Sequence, residues 1–383
     1  MNNQIIGWDV GGAHLKAALL DANGDLVNVI QIPCALWRGL PELESAIDLI
    51  LNTFKHQPAL HAITMTGELV DLFASRQAGV RAISCTMEAK LTGSKRFYAG
   101  QSSMNMSKST FIAFDEVEQH WQTIASANWL ASSRYIGLQL EQLQMCKHSL
   151  LIDIGSTTSD FVLLQNFQPA CLGLTDSMRM QTEELIYTGV IRTPLMALAQ
   201  KIKFKNSMTS VAAEYFATTA DIYRLTGDLQ MSDDMVDSAD GQDKSEFASA
   251  RRIARMIGHD VEEATLVDWI ELAQSFKAQQ LMRLSAVASM HISRLKNNHQ
   301  TSEIVMIGAG AGCFLVKEIA SSMNIQYVDV AQLIGENLAH ITHAQLADLE
   351  AATHWATVCL PAVAVANLAL NEHKVIVNEY VST

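Results

Sequence analysis

The chain has 383 residues, of which 49% are hydrophobic and 17% charged, with a formal net charge of −13. The length allows two domains of ordinary size, each with its own core, and the apolar share excludes a disordered chain. The acidic balance argues against nucleic acid and anionic membranes as main partners. It leaves a small anionic substrate open, because local N–H groups and Mg²⁺ bind phosphate whatever the global charge.

Residues 4–32 read as three strands with turns, including the Ala-Asn-Gly-Asp turn at 22–25. The first hairpin is QIIGWDVGGAHLKAALL (4–20): a strand, Asp9, a Gly11-Gly12 turn and an alternating return strand carrying Lys16. Pro41 opens a helix running to about residue 56, with Leu43, Ile47, Ile50, Leu51 and Phe54 on one face. The strand HAITMT (61–66) ends in Gly67-Glu68-Leu69-Val70-Asp71. Polar groups at the end of a central strand are frequent site positions in open α/β sheets. Glu68 and Asp71 therefore either face a ligand cleft or cap the following helix. Residues 80–115 read as loops and short strands. Within them KLTGSKRFYAGQSS (90–103) is exposed and basic, and its Lys95 and Arg96 meet either solvent or an anionic substrate. ASANWLASSRYIGLQL (125–140) reads as a helix in which Asn128 needs a partner, from a cleft or from the backbone.

SLLIDIGSTTSDFVLL (149–164) repeats the hairpin design, with two apolar runs flanking DIGSTTSD. Gly155 allows a tight turn. Ser156, Thr157 and Thr158 present hydroxyls and backbone N–H groups, which suit a phosphate, and Asp153 and Asp160 add carboxylates, which suit its Mg²⁺. A short strand pair and a helix near 177–183 follow. In EELIYTGVIRTPL (183–195), Thr188-Gly189 is a turn. Arg192 there either anchors a carboxylate or phosphate or pairs with Glu183 or Glu184. A helix over 211–225 precedes an acidic Gly/Asp/Ser-rich segment, 227–246, read as an exposed loop or lid; its aspartates lack EF-hand spacing. Helices follow over 245–258 and 262–297, the second with a long apolar stripe in which His291 needs no special role. IVMIGAGAG (304–312) is a strand entering a turn with Gly308, Gly310 and Gly312, ahead of a helix over 313–323 whose N-terminus suits an anion. QYVDV (326–330) is a strand, 353–371 an alanine-rich helix, and KVIVNEYVST an added edge strand. No run of about 20 apolar residues suggests a transmembrane helix, and MNNQIIGWDV lacks the marks of a signal peptide. Six cysteines without CxxC pairs or nearby histidines point away from a zinc site and toward a reduced, cytoplasmic setting.

Two copies of strand–Asp–x–Gly–turn–strand, at Asp9 and Asp153, make a duplicated fold with a phosphate hairpin in each half the simplest reading. The hairpins resemble the phosphate-1 and phosphate-2 loops of the actin-like superfamily of sugar kinases, Hsp70 and actin, and 304–312 resembles its adenosine motif. TGELVDLFASRQAGV (66–80), IASANWLASSRYIG (124–137), DIGSTTSD (153–160) and EELIYTGVIRTPL (183–195) together resemble the hydantoinase/oxoprolinase-related family linked to methanofuran biosynthesis. Its bacterial members are described as tetrahydromethanopterin-linked C1-transfer pathway proteins. The resemblance implies an α/β, actin-like ATPase (ribonuclease H-like) duplicated fold, with two lobes around a central cleft. The first lobe would be 1–147, completed by the helix 353–371, and the second 148–350.

The resemblance also implies a transferase. It would couple an aminomethylfuran-methyl diphosphate to the phenol oxygen of a (γ-glutamyl)tyramine or tyrosine-type acceptor, releasing diphosphate without consuming ATP. In that reading Gly11, Gly12, Ala13 and His14, with Gly155, Ser156, Thr157 and Thr158, hold the diphosphate. Arg192 and the Gly308, Gly310, Gly312 turn add phosphate or nucleotide contacts, and Lys16 neutralises charge. Asp9, Asp153 and Asp160 reach Mg²⁺ directly or through water. Glu68 is the base, with Asp71 behind it, because a phenol with a reference pKa of about 10 has to lose its proton. Actin-like phosphate-1 loops usually carry Ser, Thr or Asn near positions 13–14, so Ala13-His14 weakens an ATPase reading. The alternatives are an ATP-dependent kinase or hydantoinase/oxoprolinase-like hydrolase, binding ATP at Gly308–Gly312, and a non-catalytic nucleotide switch. The expected partners are the small-molecule diphosphate and the phenolic acceptor, with no nucleic acid and no membrane; a homo-oligomer is left open.

Overall fold

The computed structural model describes residues 4–55, 58–100, 110–298, 303–338 and 349–381. In chain order the elements are β1 (Ile5–Val10), β2 (His14–Leu20), β3 (Leu26–Pro33), α1 (Leu40–Phe54), β4 (Leu60–Met65), α2 (Arg76–Lys90), β5 (Ser94–Tyr98), β6 (Phe111–Ile112), α3 (Val117–Ile124) and α4 (Asn128–Gln142). Then come β7 (His148–Ile154), β8 (Ser159–Gln165), β9 (Gln168–Pro169), α5 (Asp176–Gln181), β10 (Leu185–Ile186), β11 (Lys201–Phe204), β12 (Ser207–Ser210), α6 (Thr219–Thr226), α7 (Glu246–Arg255) and α8 (Leu266–Asn298). The chain closes with β13 (Val305–Ala309), α9 (Cys313–Ser322), β14 (Gln326–Asp329), α10 (Val330–Leu338), α11 (Leu349–Val358) and α12 (Leu360–Val381).

The chain forms two compact units: 1–147 with 164–178 and 330–383, and 148–163 with 179–329. Segments 164–178 and Val330–Leu338 thus lie in the first unit, where the sequence reading had given them to the second. Each unit has its own sheet, ordered β3-β2-β1-β4-β5-β6 in the first and β10-β8-β7-β13-β14 in the second. In the first, β1–β3 are antiparallel and β4 and β5 run parallel to β1. In the second, β13 runs parallel to both β7 and β14. An antiparallel meander extended by parallel strands, made twice, is the duplicated ribonuclease H-like, actin-like fold.

In the first unit β1 is buried along its whole length, so IIGWDV reads as an almost continuous apolar run. One face, with Ile6, Trp8 and Val10, joins Leu43, Ile47, Ile50 and Phe54 of α1 and Val80, Ile83 and Met87 of α2 in a single core. On the other face a Cβ at Gly7 would lie 2.0 Å from Ala362 O and 2.8 Å from Ala366 Cβ. Glycine opposite alanines is what lets α12 rest directly on β1. Trp8 Nε1 donates to His61 Nδ1 at 3.1 Å, and His61 Nε2 lies 2.8 Å from Thr92 O. Burial lowers the His61 pKa to about 4.

Several local readings are corrected. Residues 76–90, within the stretch read as loops, form α2, whose N-cap Ser75 accepts from Ala78 N. Lys95 sits on Glu88 and on the carbonyls of Glu88 and Leu91, so it closes the end of α2; residues 101–103 of the basic stretch lie outside the described residues. Asn128 bonds backbone, through its Oδ1 to Trp129 N at 2.7 Å. The tail continues α12 to Val381 and adds no strand there; residues 382–383 are not described. Residues 353–371 are split between α11 and α12. Among the described residues no single helix is long and apolar enough to cross a membrane. A pair bent by 81°, within α11 and α12, passes only when taken together, and its α12 part is buried in the first unit over 360–370.

In the second unit the helix expected over 211–225 begins only at Thr219, and the β11–β12 hairpin precedes it. Residues 227–245 form a loop without helix or strand, with Met231, Asp237 and Asp243 exposed as expected, but several of the segment's aspartates are paired. Arg224 holds Asp221 and Asp234, and the fully buried Arg252 holds Asp221 and Asp240. Asp233 is itself 1% exposed. The pairing is not visible in the segment itself because the cations lie on α6 and α7.

Candidate functional site

The first hairpin closes with Gly11 N donating to His14 O at 3.0 Å, and Asp9 pairs across it with Lys16. The carbonyls of Gly12 and Ala13 accept from Leu36 N and Cys34 N, so neighbouring chain fixes the turn from behind. Asp9 is 4% exposed. Lys16 Nζ lies 3.9 Å from Asp9 Oδ2 and donates to Val358 O, at the end of α11, at 2.9 Å. A cation there also meets the negative end of the helix.

β4 runs beside β1, and Thr66 N donates to Val10 O. The turn that follows presses on the hairpin: a Cβ at Gly67 would lie 3.2 Å from Gly11 C, and one at Gly12 would lie 2.7 Å from Val70 Cγ1. Glu68, in this turn, is 1% exposed. Its Oε1 lies 2.7 Å from Ser126 Oγ and accepts from Arg76 Nη2 at 3.1 Å. Arg76 Nη2 also reaches Ser126 Oγ at 2.9 Å and Asp176 Oδ2 at 3.3 Å, and Ser126 Oγ lies 3.1 Å from Asp176 Oδ2. Glu68 Oε2 is buried and takes no hydrogen bond from another described residue. Burial raises the Glu68 pKa, against the opposing pull of Ser126 and Arg76. Ser126 holds φ +52°, a left-handed conformation unfavourable for serine. All four residues belong to the first unit.

The second hairpin closes with Gly155 N donating to Thr158 O at 2.9 Å. Gly155 O accepts from Val190 N, and Ser156 O accepts from Ile191 N and Arg192 N. A Cβ at Gly189 would lie 2.4–2.5 Å from Ser156 C, Ser156 O and Thr157 N, so only glycine allows this support. The Thr188-Gly189 turn is held in place by Gln280, which Tyr223 bonds from behind. The half-buried Ser156 and Thr157 have their hydroxyls 3.4 Å apart. Behind Asp153, Gly310 has φ +78°, and a Cβ there would lie 2.4 Å from Asp153 Oδ1; Gly312 N donates to Ile154 O at 2.8 Å.

The structure therefore gathers Asp153, Gly155–Thr158, the Arg192 backbone, Gly310 and Gly312 in the second unit, and Asp9, Gly11–His14, Lys16 and Glu68 in the first. Gly308 lies within β13, where a Cβ would meet the Tyr327 ring. Asp160 accepts from Arg179 Nη1 at 2.6 Å, an arginine 1% exposed, so a buried guanidinium occupies the carboxylate proposed for Mg²⁺. Glu183 and Glu184, the alternative partners of Arg192, are held by Arg283 and Arg294. Asp71 is exposed and stands outside the Glu68 cluster, and the cap of α2 is Ser75, so neither Glu68 nor Asp71 serves as that cap. Among the described residues no group of three or more His, Cys, Asp or Glu could hold a metal. Asp153 beside two hydroxyls still fits a Mg²⁺ that keeps waters and shares a phosphate. Sequence reasoning missed Arg76, Ser126 and Asp176. They stand 8, 58 and 108 positions from Glu68, and no local pattern links them.

A relative from Methanocaldococcus jannaschii, the (4-{4-[2-(gamma-L-glutamylamino)ethyl]phenoxymethyl}furan-2-yl)methanamine synthase, is 25% identical over 343 residues, 89% of this chain and 96% of that protein. The protein of the same name from Methanococcus vannielii is 27% identical over 198 residues, 51% of this chain and 87% of that one. Among solved structures, the activator of the 2-hydroxyisocaproyl-CoA dehydratase from Clostridium difficile with bound ADPNP superposes with a TM-score of 0.45. It is 11% identical and covers 98% of this chain and 97% of its own. Residues 60–350, well over half the chain, match the hydantoinase/oxoprolinase family model, and the chain belongs to that family.

Proposed function

We propose that this protein is a transferase of methanofuran-type cofactor biosynthesis, serving tetrahydromethanopterin-linked one-carbon metabolism. It would join a furan-methyl diphosphate to a phenol as an aryl ether. The observation that carries the reading is Glu68, a carboxyl with a raised pKa, held by Ser126 and Arg76 in the turn that packs on Gly11 and Gly12. The relatives' names support it, because they describe a phenoxymethyl-furan product.

In this reaction the phenol O–H proton leaves to Glu68 Oε2. The phenol oxygen forms a bond to the furan CH₂ carbon. The bond from that carbon to the diphosphate oxygen breaks, and its electron pair leaves with diphosphate. Ser156, Thr157 and the N–H groups of the Gly155–Thr158 turn bind diphosphate oxygens; Gly11–His14 offer a second set, and Lys16 adds positive charge. Asp153 would hold Mg²⁺, which when bound would offset charge on the leaving group. The phenol is of the tyramine or tyrosine type.

The test is a mass-spectrometric assay with purified protein, Mg²⁺, aminomethylfuran-methyl diphosphate and a γ-glutamyl-tyramine or tyrosine-type phenol, with and without ATP. Ether and diphosphate formed without ATP are expected. ATP hydrolysis or ATP binding without ether would overturn the reading in favour of a kinase, hydrolase or switch.

A further inference from the structure

Ser126 joins two carboxyl groups. Its Oγ lies 2.7 Å from Glu68 Oε1 and 3.1 Å from Asp176 Oδ2, and it accepts from Arg76 Nη2 at 2.9 Å. A serine hydroxyl has one hydrogen to give and two lone pairs. One lone pair takes the arginine N–H, and the hydrogen goes to one carboxylate. The two oxygen–oxygen contacts are unequal, 2.7 and 3.1 Å, and the single serine hydrogen serves one of them; a carboxyl that carries its own proton would donate the other bond to Oγ. Charge leads to the same count. Two carboxylates facing one guanidinium would leave net negative charge in the interior, whereas one carboxylate, one acid and one guanidinium are neutral together. The Glu68 side chain is 0% exposed and that of Asp176 is 12%, so the neutral member is Glu68. Burial, which raises the Glu68 pKa, acts in the same direction.

We propose that Glu68, Ser126 and Asp176 form a relay holding one proton, with Glu68 Oε1–H donating to Ser126 Oγ and Ser126 O–H donating to Asp176 Oδ2. The proposal rests on the reading of Glu68 as the group that meets the phenol, and deepens it. In turnover the phenol proton arrives on Glu68 Oε2. Oε1 releases its proton to Ser126 Oγ, and Oγ releases its own to Asp176. Glu68 and Ser126 end as neutral as they began, Asp176 ends protonated, and Arg76 stays cationic. The phenol oxygen keeps the electron pair of its O–H bond. The arrangement accounts for two features together: Oε1 has two partners while Oε2 has none from another described residue, and Ser126 is held at φ +52° where it can touch both carboxyls. The charged groups facing Glu68 are Arg76 of α2 and Asp176 of α5. Ser126 comes from the turn before α4, and α2 otherwise presents the Gly79 backbone. Ser126 and Asp176 act through Glu68 and are positioning residues.

The first test needs no substrate. Infrared spectra of the full-length protein at neutral pH should show a carboxylic-acid C=O band that disappears in Glu68→Gln and moves in Glu68→Asp. Gln copies a neutral acid, so Glu68→Gln should match wild type in urea unfolding at neutral pH and exceed it as pH rises. Identical acid-region spectra for wild type and both variants, or a Glu68→Gln protein weakened at every pH, would overturn the relay. The second test separates hydroxyl from backbone. Ser126→Ala and Ser126→Gly should each lower kcat about 100-fold, with KM nearly unchanged and the kcat–pH profile displaced. Gly relieves the left-handed strain, so normal kcat in Ser126→Gly would make Ser126 merely structural. Absence of ether product with the infrared band intact would refute the proposed reaction and leave the proton count standing. Ether product with no Glu68 band would do the reverse.

Discussion

The two hairpins start from one sequence design and end in different surroundings. At Gly11–Ala13 the turn carbonyls accept from Leu36 and Cys34; at Gly155–Ser156 they accept from Val190, Ile191 and Arg192. Both turns thus have carbonyls engaged by chain from outside the hairpin. The neighbours differ. Beside the first stands a buried carboxyl cluster centred on Glu68, and beside the second stand paired hydroxyls and a glycine turn. The strands differ in the same sense. Position 7, two before Asp9, is glycine because α12 lies on it, whereas position 151, two before Asp153, is a buried leucine. A repeated backbone device therefore sits in two different settings, a buried carboxyl cluster in one half and paired hydroxyls in the other.

That division can be broken from either side. The largest expected effect is in the second unit: Asp153→Asn should abolish ether formation while the thermal midpoint stays within a few degrees, and near-normal turnover would remove Asp153 from the mechanism. Next is Glu68→Gln, which should lower kcat by about 10²–10⁴-fold in steady-state assays with little change in diphosphate affinity. Glycine variants sharpen the comparison. Gly189→Ala forces a methyl onto the Ser156–Thr157 backbone and should cost about 1–3 kcal/mol of stability, with weaker diphosphate binding in calorimetry. Gly7→Ala should cost stability through the α12 contact and leave that binding intact.

The smallest effect is in the pH dependence of stability, where two buried groups of the first unit have opposite signs. His61 has its folded pKa lowered from 6.5 to about 4. The unfolded chain therefore binds more protons in that window, and stability is lost as pH falls from about 6.5 through about 4. Glu68 has its folded pKa raised above 4.5, so its contribution declines as pH rises through the shifted value. Urea midpoints measured against pH should lose the first slope in His61→Gln and the second in Glu68→Gln.

Much of the scaffold was legible in the sequence. Both hairpins, the strand ending at Glu68 and the glycine turn after β13 follow from alternation and turn chemistry. What misled was local pattern without its partner. Residues 76–90 looked like loop because α2 is polar on most sides and has Gly79 where its backbone meets Glu68. The pairing of Asp234 and Asp240 was not legible because Arg224 and Arg252 lie outside the 227–246 segment. The tail alternates like a strand, yet continues α12. Asp160 looked like an Mg²⁺ ligand until Arg179, nineteen positions on, was seen against it.

By itself the sequence determined the two Asp-x-Gly hairpins, the strands over 61–66 and 304–310 and the placing of Glu68 at a strand end, because side-chain period and turn propensity act over a few residues. Only the tertiary structure decided what Glu68 is. Arg76, Ser126 and Asp176 arrive from 8, 58 and 108 positions away, and burial with shared hydrogens, not residue type, sets how many protons the group holds.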